Sequence, residues 1–203
     1  MIKTYKTTIT KPCWGLTKPF ILASSSPRRI RLLENAGFKP QEIVPADINE
    51  TEKKGERPDK YVVRVATEKA KHVANLRPGT CIVAADTIIV AKGKIVRKAP
   101  NEQKARANLK LISGGTHYAY TGYCIISAKG TVISKLVKTT IRMKKFTDAE
   151  VDTLIASKEW ENVAAYRIEG LLSALVKGIE GSYTNIIGLP VYEVSQDLKK
   201  VLK

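Results

Sequence analysis

The sequence predicts an α/β protein, a long mixed sheet with helices packed on it. Three observations carry that expectation. Residues 20–38 read as strand, polar turn and helix. Pro58–Leu76 is one long segment with apolar residues at helical spacing. Cys81–Ala91 is an almost continuous apolar run, which suits a strand buried on both faces. Strands alternating with helices of this length are the pattern of an α/β fold.

Taken in order, residues 1–19 have no clear period and contain Pro12 and Pro19. They read as an extension or an edge strand of one domain spanning 1–203. Phe20-Ile21-Leu22-Ala23 is long enough for a buried strand, and three serines with Pro27 stop it. Ser26 stands at the N-cap position and Pro27 at the first helical position. Leu32 and Leu33 face a core, and Gly37 suits the residue after the helix. Ser24, Ser26, Arg28 and Arg29 cluster at the turn, where free backbone N–H groups attract an anion. The helix dipole opposes cations there. Paired arginines at that place are either a solvated helix start or a grip on phosphate oxygens.

Residues 40–58 are loop-like, with room for a short strand at 42–44. Asp47, Glu50 and Glu52 stand out in a basic protein. They balance nearby lysines, or one of them faces a metal or positions a water. Along 58–76, Tyr61, Val65, Ala66, Lys69 and Val73 share a face, and Arg77-Pro78-Gly79 ends the helix. Asp86 interrupts the apolar run of 81–91. A carboxylate in a buried strand costs several kcal/mol unless it is paired, hydrogen-bonded or bound to metal. It is thus a satisfied core aspartate, a metal ligand or a general base.

A tight turn at 91–94 leads to a return strand at Ile95-Val96, then a helix over about 101–112. A strand over 118–127 turns at Ala128-Lys129-Gly130 into a second strand over 131–144, with Val137, Thr139, Ile141 and Met143 on its inner face. His117, just before that hairpin, reads as a packed or capping residue. Thr147 and Glu150 form a capping box on a helix to Ser157. An amphipathic helix over about 191–202 closes the chain.

Charge and cysteines bound the function. Thirty-five basic against nineteen acidic residues give +16, which favours polyanions: nucleotides, nucleic acid or an anionic membrane. No basic run reaches five residues and aromatics are only 6%, so the interleaved pattern of a nucleic-acid surface is missing. No apolar run is long enough to span a bilayer, and the N-terminus lacks the apolar stretch of a signal peptide. Cys13, Cys81 and Cys124 are far apart and odd in number, as expected in a reducing cytoplasm.

Several strings, in order, resemble the Maf family of nucleoside triphosphate pyrophosphatases. They are Ser24-Ser25-Ser26-Pro27-Arg28-Arg29, Pro45-Ala46-Asp47-Ile48-Asn49-Glu50, Glu68-Lys69-Ala70, Ala85-Asp86-Thr87, Thr121-Gly122 and the long run Gly181–Pro190, GSYTNIIGLP. The resemblance spans about residues 21–201. Three positions depart from it: Ala99 in the Lys-Pro string after Lys98, Ala164 for a glycine, and Glu169 for the common glutamine.

The resemblance implies two lobes around a central cleft and cleavage of the α–β phosphoanhydride. It makes Asp86 the catalytic base, with Glu50, Lys69 and Lys98 as further catalytic residues. Ser24, Ser26, Arg28 and Arg29 would bind phosphate. Asp86 and Glu50 would hold magnesium or manganese, and no Cys/His cluster suggests zinc. It also implies a homodimer and leaves room for an added role in cell division. Branches of the family differ at Arg28, Thr87 and Glu169. Thr87 is similar to the branch that prefers dTTP and UTP, and Glu169 to the branch that hydrolyses 7-methyl-GTP, so a broad or mixed base specificity is expected.

Overall fold

A computed structural model describes residues 5–6, 13–16, 18–163 and 166–202. Its sheet has eight strands and runs β1–β3–β2–β4–β6–β7–β8, with β5 added to β4. The strands are β1 (Tyr5–Lys6), β2 (Phe20–Leu22), β3 (Glu42–Ile43), β4 (Cys81–Ala91), β5 (Lys94–Val96), β6 (Thr116–Ile126), β7 (Val132–Met143) and β8 (Val176–Glu180). The helices are α1 (Pro27–Asn35), α2 (Pro58–Leu76), α3 (Glu102–Ile112), α4 (Asp148–Ala156), α5 (Tyr183–Ile187) and α6 (Val191–Leu202). The sheet is mixed: β2 runs parallel to β3 and β4, and the other pairs are antiparallel. The part of the N-terminal extension that is described includes an edge strand, Tyr5–Lys6 against β3.

Strand β4 organises the molecule. One of its edges pairs with β6 without interruption from Ile82 to Ala91. Its other edge pairs with β2 at Cys81–Val83 and with β5 at Ile89–Ala91. Residues 84–88 therefore have no strand beside them on that edge, and the sheet splits there. The split separates two lobes. In one, α1 and α6 cover the β2 end of the sheet, around Leu22, Leu33, Val83 and Leu198. In the other, α3 and α4 cover the β5 end, around Ile89, Leu109, Ile141 and Leu154. On the opposite face α2 packs across β4 and β6, through Val62, Val65, Ala66 and Val73.

Local sequence explains most element ends. The capping box of Thr147 and Glu150 is present at α4, and Asn101 caps α3 through Lys104 N. Gly37, just past α1, has φ +78°. Ser26 stands at the N-cap of α1 but makes no side-chain cap; instead its own N–H donates to Ser24 Oγ at 3.2 Å. Elements outside the sequence expectation include β8, the 3₁₀ turn Leu171–Leu175 before it and the 3₁₀ turn Cys13–Gly15. β8 is a five-residue edge strand with exposed lysine and glutamate, and its apolar pattern is too short to be read from sequence. Strand β6 also starts two residues early and takes in His117.

Among the described residues, no helix is long and apolar enough to cross a membrane. Cys81 and Cys124 are free and buried, and burial pushes their thiols up to about 12 and about 11, so neither is a reactive thiolate near neutral pH. The side chain of Cys13 lies outside the described residues.

Candidate active site

The gap in the sheet opens into a cavity of about 760 Å³ between the lobes. All ten residues singled out from the sequence line it: Ser24, Ser26, Arg28, Arg29, Glu50, Lys69, Asp86, Thr87, Lys98 and Glu169. Asp86 and Thr87 are neighbours on β4, so their side chains leave opposite faces of the sheet. Because the strand has no neighbour at that point, both faces open into the same space.

Asp86 is 8% exposed and pairs with Lys69, whose Nζ lies 3.1 Å from Asp86 Oδ1. The same Nζ lies 2.9 Å from Glu50 Oε1. One ammonium thus bridges two carboxylates from different segments. Lys69 is itself 8% exposed, since α2 turns it inward beside Val65 and Ala66. Packing of that helix depends on Gly122, the partner of Asp86 on β6. A Cβ at Gly122 would lie 2.2 Å from the Val62 carbonyl oxygen. The loop carrying Glu50 is held by the Tyr61 hydroxyl, which donates to the Glu50 backbone carbonyl at 2.9 Å. Tyr61 was not singled out as a site residue: its periodicity marks it as part of the helix's buried face, and its contact with Glu50, 11 residues away, exists only in the folded chain.

The two arginines of the turn divide into different roles. Arg29 spends three nitrogens on the protein: Nε donates to the Gly188 carbonyl at 2.9 Å, Nη1 to Ser24 Oγ at 3.2 Å, and Nη2 to Thr87 Oγ1 at 3.3 Å. Thr87 Oγ1 also lies 3.0 Å from the Gly188 carbonyl and 2.8 Å from Thr121 Oγ1. Burial pushes Arg29 below the usual guanidinium value, and the charges of Asp86 and Glu50 oppose that shift. Arg28 lines the same cavity and has no hydrogen-bond or ion-pair partner among the described residues, and neither does Lys98. Glu169 pairs with Arg31 Nη2 at 3.4 Å, both side chains substantially exposed.

The Gly181–Pro190 run turns out to be a clasp. Ser182 caps α5, and Asn185 Nδ2 donates to the Ala119 carbonyl and to Thr139 Oγ1, tying α5 to β6 and β7. That clasp places the Gly188 carbonyl where Arg29 and Thr87 converge. Residue 188 has φ +138°, a backbone that strongly favours glycine.

No group of three or more His, Cys, Asp or Glu side chains able to hold a metal exists among the described residues. Asp86 and Glu50 are close enough to share one cation, as Lys69 shows. Two carboxylates fit the sites in which magnesium takes its remaining ligands from water and phosphate oxygens.

Comparison with known proteins identifies the family. The family model described as "Maf-like protein" matches residues 19–201. The chain belongs to the Maf-like family. A dTTP/UTP pyrophosphatase of Caulobacter vibrioides is 40% identical over 174 residues, 85% of this chain and 90% of its own. Another of Mesorhizobium japonicum is 40% identical over 186 residues, covering 88% and 89%. A solved nucleoside-triphosphatase / dITP/XTP pyrophosphatase of Mycobacterium abscessus covers 63% of this Maf-like chain and 75% of its own, at 16% identity and TM-score 0.39, too slight a likeness to bear on the fold.

Proposed function

We infer that this Maf-like protein is a nucleoside triphosphate pyrophosphatase, which releases pyrophosphate and leaves the monophosphate. The observation that carries the reading is the Asp86–Lys69–Glu50 bridge set in a cleft whose other wall is cationic. Relatives named dTTP/UTP pyrophosphatases, at about 40% identity over most of both chains, support it. They also favour pyrimidine triphosphates as substrates.

In this reading a water attacks the α phosphorus, the bond to the α–β bridging oxygen breaks, and pyrophosphate carries away that oxygen. The water's proton goes to the Asp86 carboxylate, which Lys69 orients. Charge gathers on phosphate oxygens as the bond breaks, so catalysis is mostly positioning and charge stabilisation. Arg28 and Lys98 have the free donors to take those oxygens, with the hydroxyl and N–H groups of the Ser24–Ser26 turn. Arg29 acts mainly by holding the turn, Thr87 and Gly188 in one arrangement. Asp86 and Glu50 would hold magnesium or manganese, which supplies further neutralisation of phosphate charge.

The chain acts as a single catalytic unit, in the cytoplasm and as a homodimer; the family resemblance supports the dimer, and light scattering at twice 22.4 kDa checks it. The test of the activity is pyrophosphate release from UTP, dTTP, the other common triphosphates and 7-methyl-GTP, with magnesium or manganese. Asp86→Asn is expected to lower kcat by at least about 10³-fold while the fold stays intact, because Lys69 keeps Glu50 as a partner. Hydrolysis surviving in Asp86→Asn would remove Asp86 as the base.

A further inference from the structure

The cleft has two chemically different ends. Near α1 it is lined by arginines, serines and the carboxylate bridge. Away from them it is lined mainly by Ile89, Val163, Ile168, Ile186 and Tyr166, with Asn162 and Arg167 next to them in the chain. In the pyrophosphatase reading, on which this inference rests, the charged end takes phosphates and the apolar end takes the base.

Tyr166 is attached to His117. The His117 Nε2 and the Tyr166 hydroxyl are hydrogen-bonded, and the rings meet edge to face with centroids 5.4 Å apart. His117 is fully buried, and burial holds it near 4, so it is neutral at physiological pH. Its Nδ1 is buried and has no hydrogen-bond partner among the described residues.

A neutral imidazole carries one proton, and its position sets the polarity of the bond. If Nδ1 carried it, a buried N–H would have no acceptor, the rarest and costliest kind of orphan. With the proton on Nε2, the vacancy at Nδ1 is only an unused lone pair. Nε2–H then donates to the Tyr166 oxygen, and the tyrosine proton is left to point elsewhere. Glu169, which also lines the cavity, is an acceptor engaged by Arg31 of α1.

We propose that Tyr166 is a specificity residue whose hydroxyl, set by His117 as a donor, reads a carbonyl oxygen of a pyrimidine base. Uracil and thymine present two such oxygens at positions 2 and 4. His117 is a positioning residue: it touches no substrate and acts by fixing which way Tyr166 gives its proton.

Two measurements test this. The first is ¹⁵N NMR of His117 in the wild-type protein; its only companion is His72, which His72→Gln removes from the spectrum. The expected pattern is a protonated Nε2 and a bare Nδ1 at neutral pH. The reverse tautomer overturns the proposal. The second compares UTP with 2-thio-UTP and 4-thio-UTP, because sulfur is a poor acceptor. Wild type is expected to show a KM about five- to tenfold higher for one of the two analogues, with kcat nearly unchanged. Tyr166→Phe is expected to raise the KM for UTP by a similar factor and to abolish the discrimination. Discrimination that persists in Tyr166→Phe, or that wild type never shows, sinks the inference and leaves the pyrophosphatase standing. Wild type that fails to release pyrophosphate from UTP takes down the activity itself. Thermal melting of Tyr166→Phe, which keeps the ring, separates lost reading from lost folding.

Discussion

At the scale of single residues, identical side chains in adjacent positions do different work. Arg28 and Arg29 are indistinguishable in sequence. Arg29 uses the planar fork of its guanidinium to join Gly188, Ser24 and Thr87, which a point charge cannot imitate. Arg29→Lys is therefore expected to cost about 2 kcal/mol of stability, seen as a lower Tm. Arg28→Ala is expected to leave Tm unchanged and to raise the KM for a triphosphate by about tenfold. Equal losses of Tm in both variants would overturn that division. Glu169→Gln is expected to shift the ratio of UTP to guanine-nucleotide turnover toward UTP, because an ionised glutamate only accepts hydrogen bonds; an unchanged ratio removes Glu169 from base reading. The residue types of the phosphate end were legible in the sequence, whereas Tyr61 and the His117–Tyr166 pair were not. What was not legible was the partner of each, since Arg29 and Gly188 are 159 residues apart.

At the scale of elements, the site depends on a helix lying close to a strand. Helix α2 delivers Lys69 to Asp86 only because β6 has no side chain at Gly122, where the Val62 carbonyl passes. Gly122→Ala forces backbone against backbone and is expected to cost about 3 kcal/mol. That corresponds to a fall in Tm of roughly 6–12 °C for a chain of this size, with kcat falling as Lys69 is displaced. An unaltered melting curve would mean that α2 moves freely there. The Thr121-Gly122 string was visible in sequence as a motif, and its purpose was not. Its neighbour Thr121 reaches Thr87 across the sheet, a contact fixed by strand register.

At the scale of the whole molecule, α6 closes the first lobe through Asp197, which is 2% exposed. Its carboxylate accepts from Tyr123 Oη at 2.8 Å, Lys135 Nζ at 2.6 Å and Lys200 Nζ at 2.9 Å. Burial opposes its ionisation, but these three donors win and hold it at about 2, below its usual 3.8. A depressed folded-state value means that the stabilisation is complete above pH 3.8 and fades as pH falls toward 2. It amounts to about 1–2 kcal/mol, discounted because both lysines reach solvent. Urea unfolding of wild type and Asp197→Asn is expected to differ at pH 6 and to converge near pH 2. The net charge of +16 acts at the same scale: it draws in a triphosphate from solution and makes kcat/KM fall as salt rises.

The sequence by itself determined the kind of protein, the order of its long elements and the residue types of its chemistry. Each of these is written in local patterns: β4 as an apolar run, α2 as a helical face, the serine turn as a capped helix start. Tertiary structure decided which groups meet. The split in the sheet follows from β2 and β5 sharing one edge of β4, and that sharing is set by long-range register and lobe packing. So Lys69 came to bridge Asp86 and Glu50, Arg29 became a clamp, and a buried histidine came to hold Tyr166. Hydrogen bonds and ion pairs act over a few ångströms, and only the folded chain brings such distant residues within that range.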